Sequence, residues 1–415
     1  LGTDHNSFVA QASTTDPGQV DIMVSAGGGT TVDVTSLVSG GELGGQLRFR
    51  SQVLDPAQNA LGRIAIELGS FVNAQHRSGL TLEGLPGQDF FSVAGPEVIA
   101  DPDNSGSVSA SFGDVSQLTG TDYSLQFDGS AWTLTQAGTG QIVPLDGSGT
   151  VADPFVAEGI SIVTGPGATA GDSYAIRPTR SGAAGIGVMV SDPRDLALAA
   201  PLSTSATLDN TGTGTISAGV VTDIASTAFQ TAPGQLTPEV LVRFTSSTSY
   251  EVLDRATLTT IDTGSYDPAT GEDLFPTENL AIDYGYQARI TGNPAAGDTF
   301  TITSNTDGTG DNRNALLLAG LQSRRLMDGG TSSFTDAYGQ LVADVGTSTR
   351  QAQVNGDAQL RMLEQSEAAL ASVSGVNLDE EAADLLRFQQ AYQAAAQIIA
   401  VADQIFETLI SAVRR

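Results

Sequence analysis

The chain contains no cysteine, no lysine and only two histidines, His5 and His76, among its 415 residues. The absence of cysteine excludes disulfide bonds and thiolate metal sites. Two histidines offer no evident metal cluster or catalytic triad, so we expect neither an enzyme nor a cofactor. All 18 basic residues are arginine, against 47 acidic residues, which gives a formal charge of −29. This charge argues against nucleic acid and anionic membranes as partners.

Long hydrophobic runs are also missing. No uninterrupted apolar run approaches the roughly 20 residues that span a bilayer, so we expect no membrane contact. The first residue is leucine, and no charged segment followed by an apolar one comes after it, so we expect no secretory signal. The length allows two to four domains.

The strongest pattern lies at the C-terminal end, where residues 378–415 contain neither glycine nor proline. Apolar residues recur there at alternating spacings of three and four, which places them on one stripe of an α-helix, as in the seam of a coiled coil. The predicted stripe consists of Leu378, Leu385, Phe388, Tyr392, Ala395, Ile399, Ala402, Phe406, Leu409 and Val413. Asn377 is the predicted N-cap. Such a helix is about 55 Å long, and its one-sided stripe requires partners.

A second helix is predicted after residue 54. Asp55 is a suitable N-cap, and Pro56 a suitable first helical residue. The helix should end near Ser78. Its apolar residues repeat the same spacing at Leu54, Ala57, Leu61, Ile64, Leu68 and Phe71.

Residues 90–310 have the texture of β-structure, with short alternating runs separated by turn residues. An internal repeat suggests two related modules in tandem. The segment 160–176 (ISIVTG followed by AGDSYAI) corresponds to 288–302 (ARITG followed by AGDTFTI), and Tyr123 corresponds to Tyr250 at a similar offset.

Helix returns after residue 311, where Gly329 and Gly330 are predicted to stop one helix before another begins near Phe334. This order predicts an α+β multidomain fold with a helical coiled-coil shaft built from both ends of the chain and two tandem mainly-β modules inserted in the middle. The shaft domain comprises residues 1–90 with 311–373, the modules span 91–200 and 201–310, and 374–415 form a C-terminal amphipathic assembly helix.

Three motifs could carry chemistry. Residues 165–170 (GPGATA) fit a dinucleotide-binding pattern, but a strand follows where a helix is needed, so we expect a hairpin connection. Residues 101–106 (DPDNSG) resemble half of a calcium loop, but position twelve is Phe112 and not glutamate, so we expect a turn. His76 is expected to be a solvated side chain near a helix end.

The C-terminal segments 374–381, 388–396 and 405–406 resemble those of flagellar axial proteins. Segments 43–45, 50–59, 73–77, 297–300 and 311–315, with the double glycine at 329–330, are similar to one family in particular: flagellar hook-associated protein 1, the hook–filament junction protein. Members of that family open with a long helical N-terminal region, which this sequence does not show.

The resemblance implies a non-enzymatic structural subunit that joins the hook to the filament of the bacterial flagellum. It implies export through the flagellar type III apparatus to an extracellular position. The implied partners are further copies in a ring, the hook protein, a second junction protein, and a cytoplasmic export chaperone on the C-terminal helix. Two alternatives remain open: another axial protein of the hook or rod type, or an axial scaffold whose β modules bind or adhere.

Overall fold

The computed structural model describes residues 7–13, 20–26, 30–232, 234–275, 284–306, 308–374 and 378–413. The chain forms two compact units, Leu1–Val345 and Gly346–Arg415. Helices and several β-sheets are both present, and the chain ends in a long helix, which confirms the mixed fold class. The coiled-coil shaft stays a prediction. The expected N-cap Asn377 lies outside the described residues.

The first described elements form a small antiparallel sheet in the order β1 (Ser7–Ala12), β2 (Val20–Ala26) and β3 (Thr30–Asp33). Its register pairs Phe8 with Val24 and Val24 with Val32. Because directly opposed residues share a face of the sheet, these three side chains lie on one face.

A continuous helix follows, and it does not begin where the sequence predicts. It consists of α1 (Gly41–Phe49), a π-helical turn (Arg50–Leu54) and α2 (Asp55–Arg77). The expected N-cap role of Asp55 is therefore wrong, since its backbone is helical and its N–H donates to the carbonyl of Arg50, five residues back. Pro56 has no N–H to donate and its ring crowds the preceding turn, and the wider π turn accommodates both. The predicted end near Ser78 is confirmed.

Apart from Ile66, the buried face of α2 is made of small and polar residues. Its buried residues include one row at spacings of three and four: Asn59, Gly62, Ile66, Gly69, Asn73 and His76. By contrast, Leu54 and Leu61 of the predicted apolar stripe are exposed. A Cβ added to Gly62 would lie 1.8 Å from the carbonyl oxygen of Thr179, so only glycine permits this approach.

The first β region packs on that face of α2. It contains β4 (Phe91–Ser92), β5 (Glu97–Ala100), β6 (Val108–Phe112), β7 (Tyr123–Phe127), β8 (Trp132–Gln136), β9 (Ile142–Val143), β10 (Phe155–Ala157), β11 (Ile160–Thr164), β12 (Ser173–Arg177), the short helix α3 (Gly182–Gly185) and β13 (Gly187–Val188). A five-stranded sheet has the order β5-β12-β7-β8-β9, and a three-stranded sheet has the order β10-β11-β6. Strands β4 and β13 pair separately.

The second β region is built from β14 (Leu202–Ala206), β15 (Thr215–Ile216), β16 (Val220–Val221), β17 (Val240–Ser246), β18 (Ser249–Asp254), β19 (Thr260–Ser265), β20 (Glu272–Leu274), β21 (Tyr286–Thr291) and β22 (Thr299–Ser304). Its five-stranded sheet has the order β14-β22-β17-β18-β19, and β21 pairs with β15, β16 and β20 in a second sheet. The five-stranded sheet has the same order as in the first region, and β20, β21 and β15 correspond to β10, β11 and β6, while β16 is an additional strand on β21.

Each β region has its own hydrophobic core. The first core includes Leu125, Ile160 and Ile176, with Ile66 contributed by α2. The second includes Val240, Tyr286 and Phe300. Each core requires its own set of strands with alternating apolar residues, so this pattern occurs twice along the sequence.

The internal repeat corresponds to an equivalent set of hydrogen bonds in each β region, in which an aspartate just before a strand binds the backbone of an earlier turn. We call each set an aspartate clamp. Asp172 precedes β12, and its carboxylate accepts hydrogen bonds from the backbone N–H groups of Ser105 and Gly106. Asp298 precedes β22 and accepts from Thr211 and Gly212 in the same way.

A neighbouring asparagine completes each clamp. Asn104 exchanges two hydrogen bonds with the backbone of Ser173, and Asn210 does the same with Thr299. The repeat therefore also includes residues 103–106 (DNSG) and 209–212 (DNTG).

Other expectations for the β regions have mixed outcomes. The turn at residues 101–106 is confirmed, since Asp101 Oδ1 accepts the N–H of Asp103. The predicted equivalence of Tyr123 and Tyr250 is wrong, because their strands β7 and β18 hold different places in the two sheets. The hairpin expected at 165–170 is also wrong, because this loop joins β11 to β12, which lie in different sheets.

The chain then returns to helix. Its last elements are α4 (Arg313–Gly320), β23 (Arg325–Met327), β24 (Ser332–Ser333), α5 (Phe334–Ser374) and α6 (Leu378–Val413). Short 3-10 helices lie at Thr35–Leu37, Val115–Gln117, Pro193–Asp195, Thr227–Phe229 and Gly308–Gly310. The start of α5 at Phe334 is confirmed. The role of Gly329 and Gly330 as a helix stop is wrong, because α4 ends at Gly320 and both glycines form the turn between β23 and β24 with positive φ.

The two aspartate clamps predict acid sensitivity. Burial alone raises the pKa of Asp172 and of Asp298, but the backbone N–H groups that they accept bring both pKa values below the ordinary 3.8. A lowered pKa stabilises the fold above that value and loses its contribution as the pH falls through the folded pKa. We expect Asp172→Asn with Asp298→Asn to lower the thermal midpoint at pH 7 and to flatten its decline below pH 4. Asp103→Asn, at an exposed position in the same turn as Asn104, is the control, and an equal loss there contradicts the clamp.

Candidate assembly helix and a buried polar framework

The predicted stripe lies on one helix and is exposed throughout the part that the structure describes. Every residue of α6 from Asp379 to Val413 is exposed, with Phe388 at 72% and Tyr392 at 78%. Ala395, Ala402 and the larger stripe residues from Leu385 to Val413 all belong to this exposed set. The helix assignment begins at Leu378, but the side chain of Leu378 lies outside the described residues. A second row, Ala391, Ile398, Ile405 and Ala412, is equally exposed.

The helix is more apolar overall than its interrupted runs suggest. Over Asp379–Val413 it is long and apolar enough, by length and composition alone, to cross a membrane. The sequence contains no uninterrupted apolar run of this length, but alanine and glutamine, and no charged residue, fill residues 388–402 between the apolar ones. That uncharged stretch is about 22 Å long at 1.5 Å per residue, shorter than the roughly 30 Å hydrocarbon layer.

His76 is the clearest correction to the sequence analysis, because it is buried and bonded at both ring nitrogens. Its Nε2 accepts the backbone N–H of Ala197 at 3.0 Å. Its Nδ1 lies 2.6 Å from the carbonyl oxygen of Gln88, which assigns the ring proton to Nδ1. The ring also packs edge-on against Phe90. His76 thus joins the end of α2 to the segments on either side of the first β region.

Asn314, at the start of α4, extends the hydrogen bonds around His76. We call the group formed by His76, Asn314 and their hydrogen-bond partners the polar node. Its Nδ2 donates to the carbonyl oxygen of Ala197 at 2.6 Å, and its Oδ1 accepts from Gln75 Nε2 at 2.7 Å. On the same face of α2, the Asn73 side chain bonds the backbone of Phe90 and Phe91. Two segments that lie far apart in the sequence, 73–77 and 311–315, therefore meet in space.

Arg313 attaches the second β region to α4. Its guanidinium donates to the carbonyl oxygens of Leu202 and Ala218 at 2.6 and 2.8 Å and pairs with Asp311 at 2.8 Å. Asp311 also accepts the N–H of Ala200 at 3.2 Å. Burial raises the pKa of Asp311, but the hydrogen bonds from Arg313 and Ala200 leave it below the ordinary value.

An ionic cleft lies where the first β region meets the start of α2. It has a volume of about 570 Å³ and is lined by residues that include Asp55, Asn59, Asp122, Arg177 and Arg180. Asp122 accepts from Arg180 Nη2 at 2.6 Å and from Asn59 Nδ2 at 3.0 Å. Burial raises the pKa of Asp122, against the opposing effect of Arg180 and Arg177. The charges are directed at one another, so the cleft serves as an anchor between elements.

Sequence reasoning missed the polar node, although a signal for it exists. The row from Asn59 to His76, which is small and polar except for Ile66, has the same helical spacing as the predicted apolar stripe of this helix. Among the described residues, no group of three or more histidine, aspartate or glutamate side chains is placed to hold a metal ion.

The node predicts a large effect of one substitution. His76→Ala leaves the Ala197 N–H and the Gln88 carbonyl without partners in a buried place, and each unpaired group costs about 1–3 kcal/mol. We expect the free energy of unfolding, measured with urea, to fall by about 2 kcal/mol or more. Glu83→Ala, at an exposed loop position, should change it by less than about 0.5 kcal/mol. Equal free energies of unfolding for the two variants would contradict the stabilising role of the polar node.

Family models match three segments of the chain. Residues 1–91 match the flagellar hook-associated protein FlgK helical domain. Residues 99–178 match the D2-like domain of flagellar hook-associated protein 1. Residues 369–412 match the C-terminal model of the flagellar basal body rod FlgEFG proteins.

Relatives extend the match to almost the whole chain. It is 26% identical to flagellar hook-associated protein 1 of Salmonella typhimurium over 99% of this chain and 57% of that protein. The protein of the same name from Escherichia coli K12 is also 26% identical, over 99% of this chain and 56% of that protein. The chain thus spans less than two thirds of the length of these relatives.

A solved structure supports the fold. The flagellar hook junction protein FlgK from Burkholderia pseudomallei superimposes with a TM-score of 0.78 at 31% identity, covering 90% of this chain and 71% of that one. Sequence and fold therefore agree, and the chain belongs to the flagellar hook-associated protein 1 (FlgK) family.

Proposed function

We propose that the protein of this chain is a non-enzymatic structural subunit of the bacterial flagellum that joins the hook to the filament. Family membership supports this, since relatives carry the name hook-associated protein and one solved relative is called a hook junction protein. The matches at residues 1–91 and 99–178 support the junction protein in particular.

The observation that carries the proposal is the exposure of α6. The stripe presents large apolar side chains to water, and burial of each gives roughly 1.5–3 kcal/mol. A helix of this kind gains stability only against a partner. The uncharged part of α6 is short for a bilayer and includes four glutamines, Gln389, Gln390, Gln393 and Gln397. Partner helices therefore fit better than lipid.

We propose the following division of labour along the chain. Residues 1–90 with 311–373 form a helical shaft domain, and residues 374–415 join a coiled coil through the α6 stripe. The modules at 91–200 and 201–310 face outward. The buried polar framework on α2 and α4 supports this arrangement, because it fixes the β regions to the helices without using the apolar residues Leu54 and Leu61.

The partners follow from this arrangement. They are further copies in a ring, the hook protein on one side, a second junction protein on the other, and an export chaperone that covers the α6 stripe in the cytoplasm. Export would use the flagellar type III apparatus and lead to an extracellular place in the flagellum. A charge of −29 keeps such a chain soluble before assembly.

A second candidate is an axial subunit of the hook or rod type. The match of residues 369–412 to rod proteins favours it. Localisation separates the two, since gold-labelled antibody should mark only the hook tip for a junction protein. Label within the rod or along the hook would favour the second candidate.

Deletion of the gene tests the proposal directly. Without a junction, filament protein has no surface at the hook tip on which to assemble, so we expect hooks without filaments and filament protein in the medium. Electron microscopy and immunoblots measure both outcomes, with a complemented strain as the control. Normal filaments in the deletion strain would exclude the proposed role.

The stripe itself can be tested in the same strain. Phe388→Asp places a charge where a partner helix must bury an apolar ring, which is strongly unfavourable. We expect at least tenfold fewer filaments per cell at equal protein level. Gln390→Asp is the matched control, since it adds the same charge about 200° around the helix. Equal defects in both variants would show that the stripe does not mediate assembly.

A further inference from the structure

A buried acidic residue on α2 plays no part in the functions described above. Glu67 is completely buried, and neither carboxylate oxygen receives a hydrogen bond from any residue that the structure describes. Its nearest cation is Arg63, one turn earlier, whose Nε lies 3.9 Å from Glu67 Oε1. A buried carboxylate without hydrogen bonds is strongly unfavourable when ionised. Glu67 therefore holds a proton in the folded state near neutral pH.

Arg63 is already engaged by two other elements. Its Nη1 donates to the carbonyl oxygen of Leu118 at 3.0 Å and to Asp328 Oδ1 at 2.5 Å. Asp328 lies in the turn between β23 and β24, with a positive φ of 52°. The next residue, Gly329, donates its N–H to the carbonyl oxygen of Ser116 at 2.8 Å.

This hairpin leads directly into α5. Residue Ser333 ends β24, and Phe334 begins α5 and packs edge-on against Phe71 of α2 with ring centroids 6.4 Å apart. The pair formed by Arg63 and Asp328 therefore ties the start of α5 to α2 and to the first β region.

We propose that Glu67 is a proton-operated latch on this hairpin. In the protonated state it leaves Arg63 bonded to Asp328, and the hairpin is held. When Glu67 loses its proton, its carboxylate attracts Arg63 and repels Asp328, and the hairpin before α5 is released. Alkaline conditions thus loosen the start of α5 without unfolding the two β cores.

The charges around Glu67 set the pH range. Burial raises the pKa of Glu67 from 4.5 to about 8, Arg63 lowers it, and Asp328 and Asp114 raise it further. Asp114 lies at the start of the 3-10 helix Val115–Gln117. A raised carboxyl pKa means that the folded state keeps a proton which the unfolded state has lost. The stability falls as the pH rises from 4.5 and has lost this contribution fully above about 8.

Hydrogen exchange on the full 415-residue chain tests the latch. The readout is protection of residues 325–333, divided by the intrinsic exchange rate at each pH. We expect protection in the unmodified chain to fall at least tenfold between pH 7 and pH 9, while Glu67→Gln keeps it constant. Asp328→Asn should be poorly protected at both values, and Glu83→Gln should behave as the unmodified chain. Constant protection in the unmodified chain, or an equal fall in Glu67→Gln, overturns the proposal.

A second variant keeps the test decisive if Glu67→Gln does not fold. Asp114→Asn removes one charge that opposes ionisation of Glu67, and asparagine also serves as an N-cap. We expect the midpoint of the protection loss to move to lower pH. An unchanged midpoint contradicts the assignment to Glu67.

Discussion

The close approach of α2 to the backbone of the first β region is the constraint on which the rest of the unit depends. At Gly62 the two backbones meet so tightly that no side chain fits between them. Glycine occupies this point, and the rest of the buried row on α2 consists of Asn59, Ile66, Gly69, Asn73 and His76. The apolar residues Leu54 and Leu61 lie outside this row and are exposed.

Polar groups supply the specificity that close packing alone lacks. His76, Asn73 and Asn314 satisfy backbone groups at the points where loops enter and leave the first β region, and Arg313 does so for the second. A buried polar group is unfavourable unless its hydrogen bonds are satisfied. Arrangements that break these hydrogen bonds are therefore less stable than the observed one. This framework attaches both β regions to the helices and leaves the apolar side chains of Leu54 and Leu61 exposed.

The sequence predicts elements that depend on local pattern and fails where tertiary contacts decide. The spacing from Leu385 to Val413 predicts α6, and the start of α5 at Phe334 is also correct. Asp55 looks like an N-cap, but the π turn before it continues the helix. His76 looks solvated, because its partners Gln88 and Ala197 are distant or inconspicuous in the sequence. The double glycine looks like a helix stop, and only the pairing of β23 with β24 identifies it as a hairpin turn.

Electron cryo-microscopy of the junction between hook and filament tests the central claim most directly. We propose that α6 is buried between helices in the assembled junction, whereas α2 and α4 carry the two β regions. We therefore expect the stripe residues Phe388, Tyr392 and Phe406 to be covered by neighbouring helices near the axis, with both β regions further out. A map in which α6 faces solvent, or in which the β regions line the axis, would contradict it.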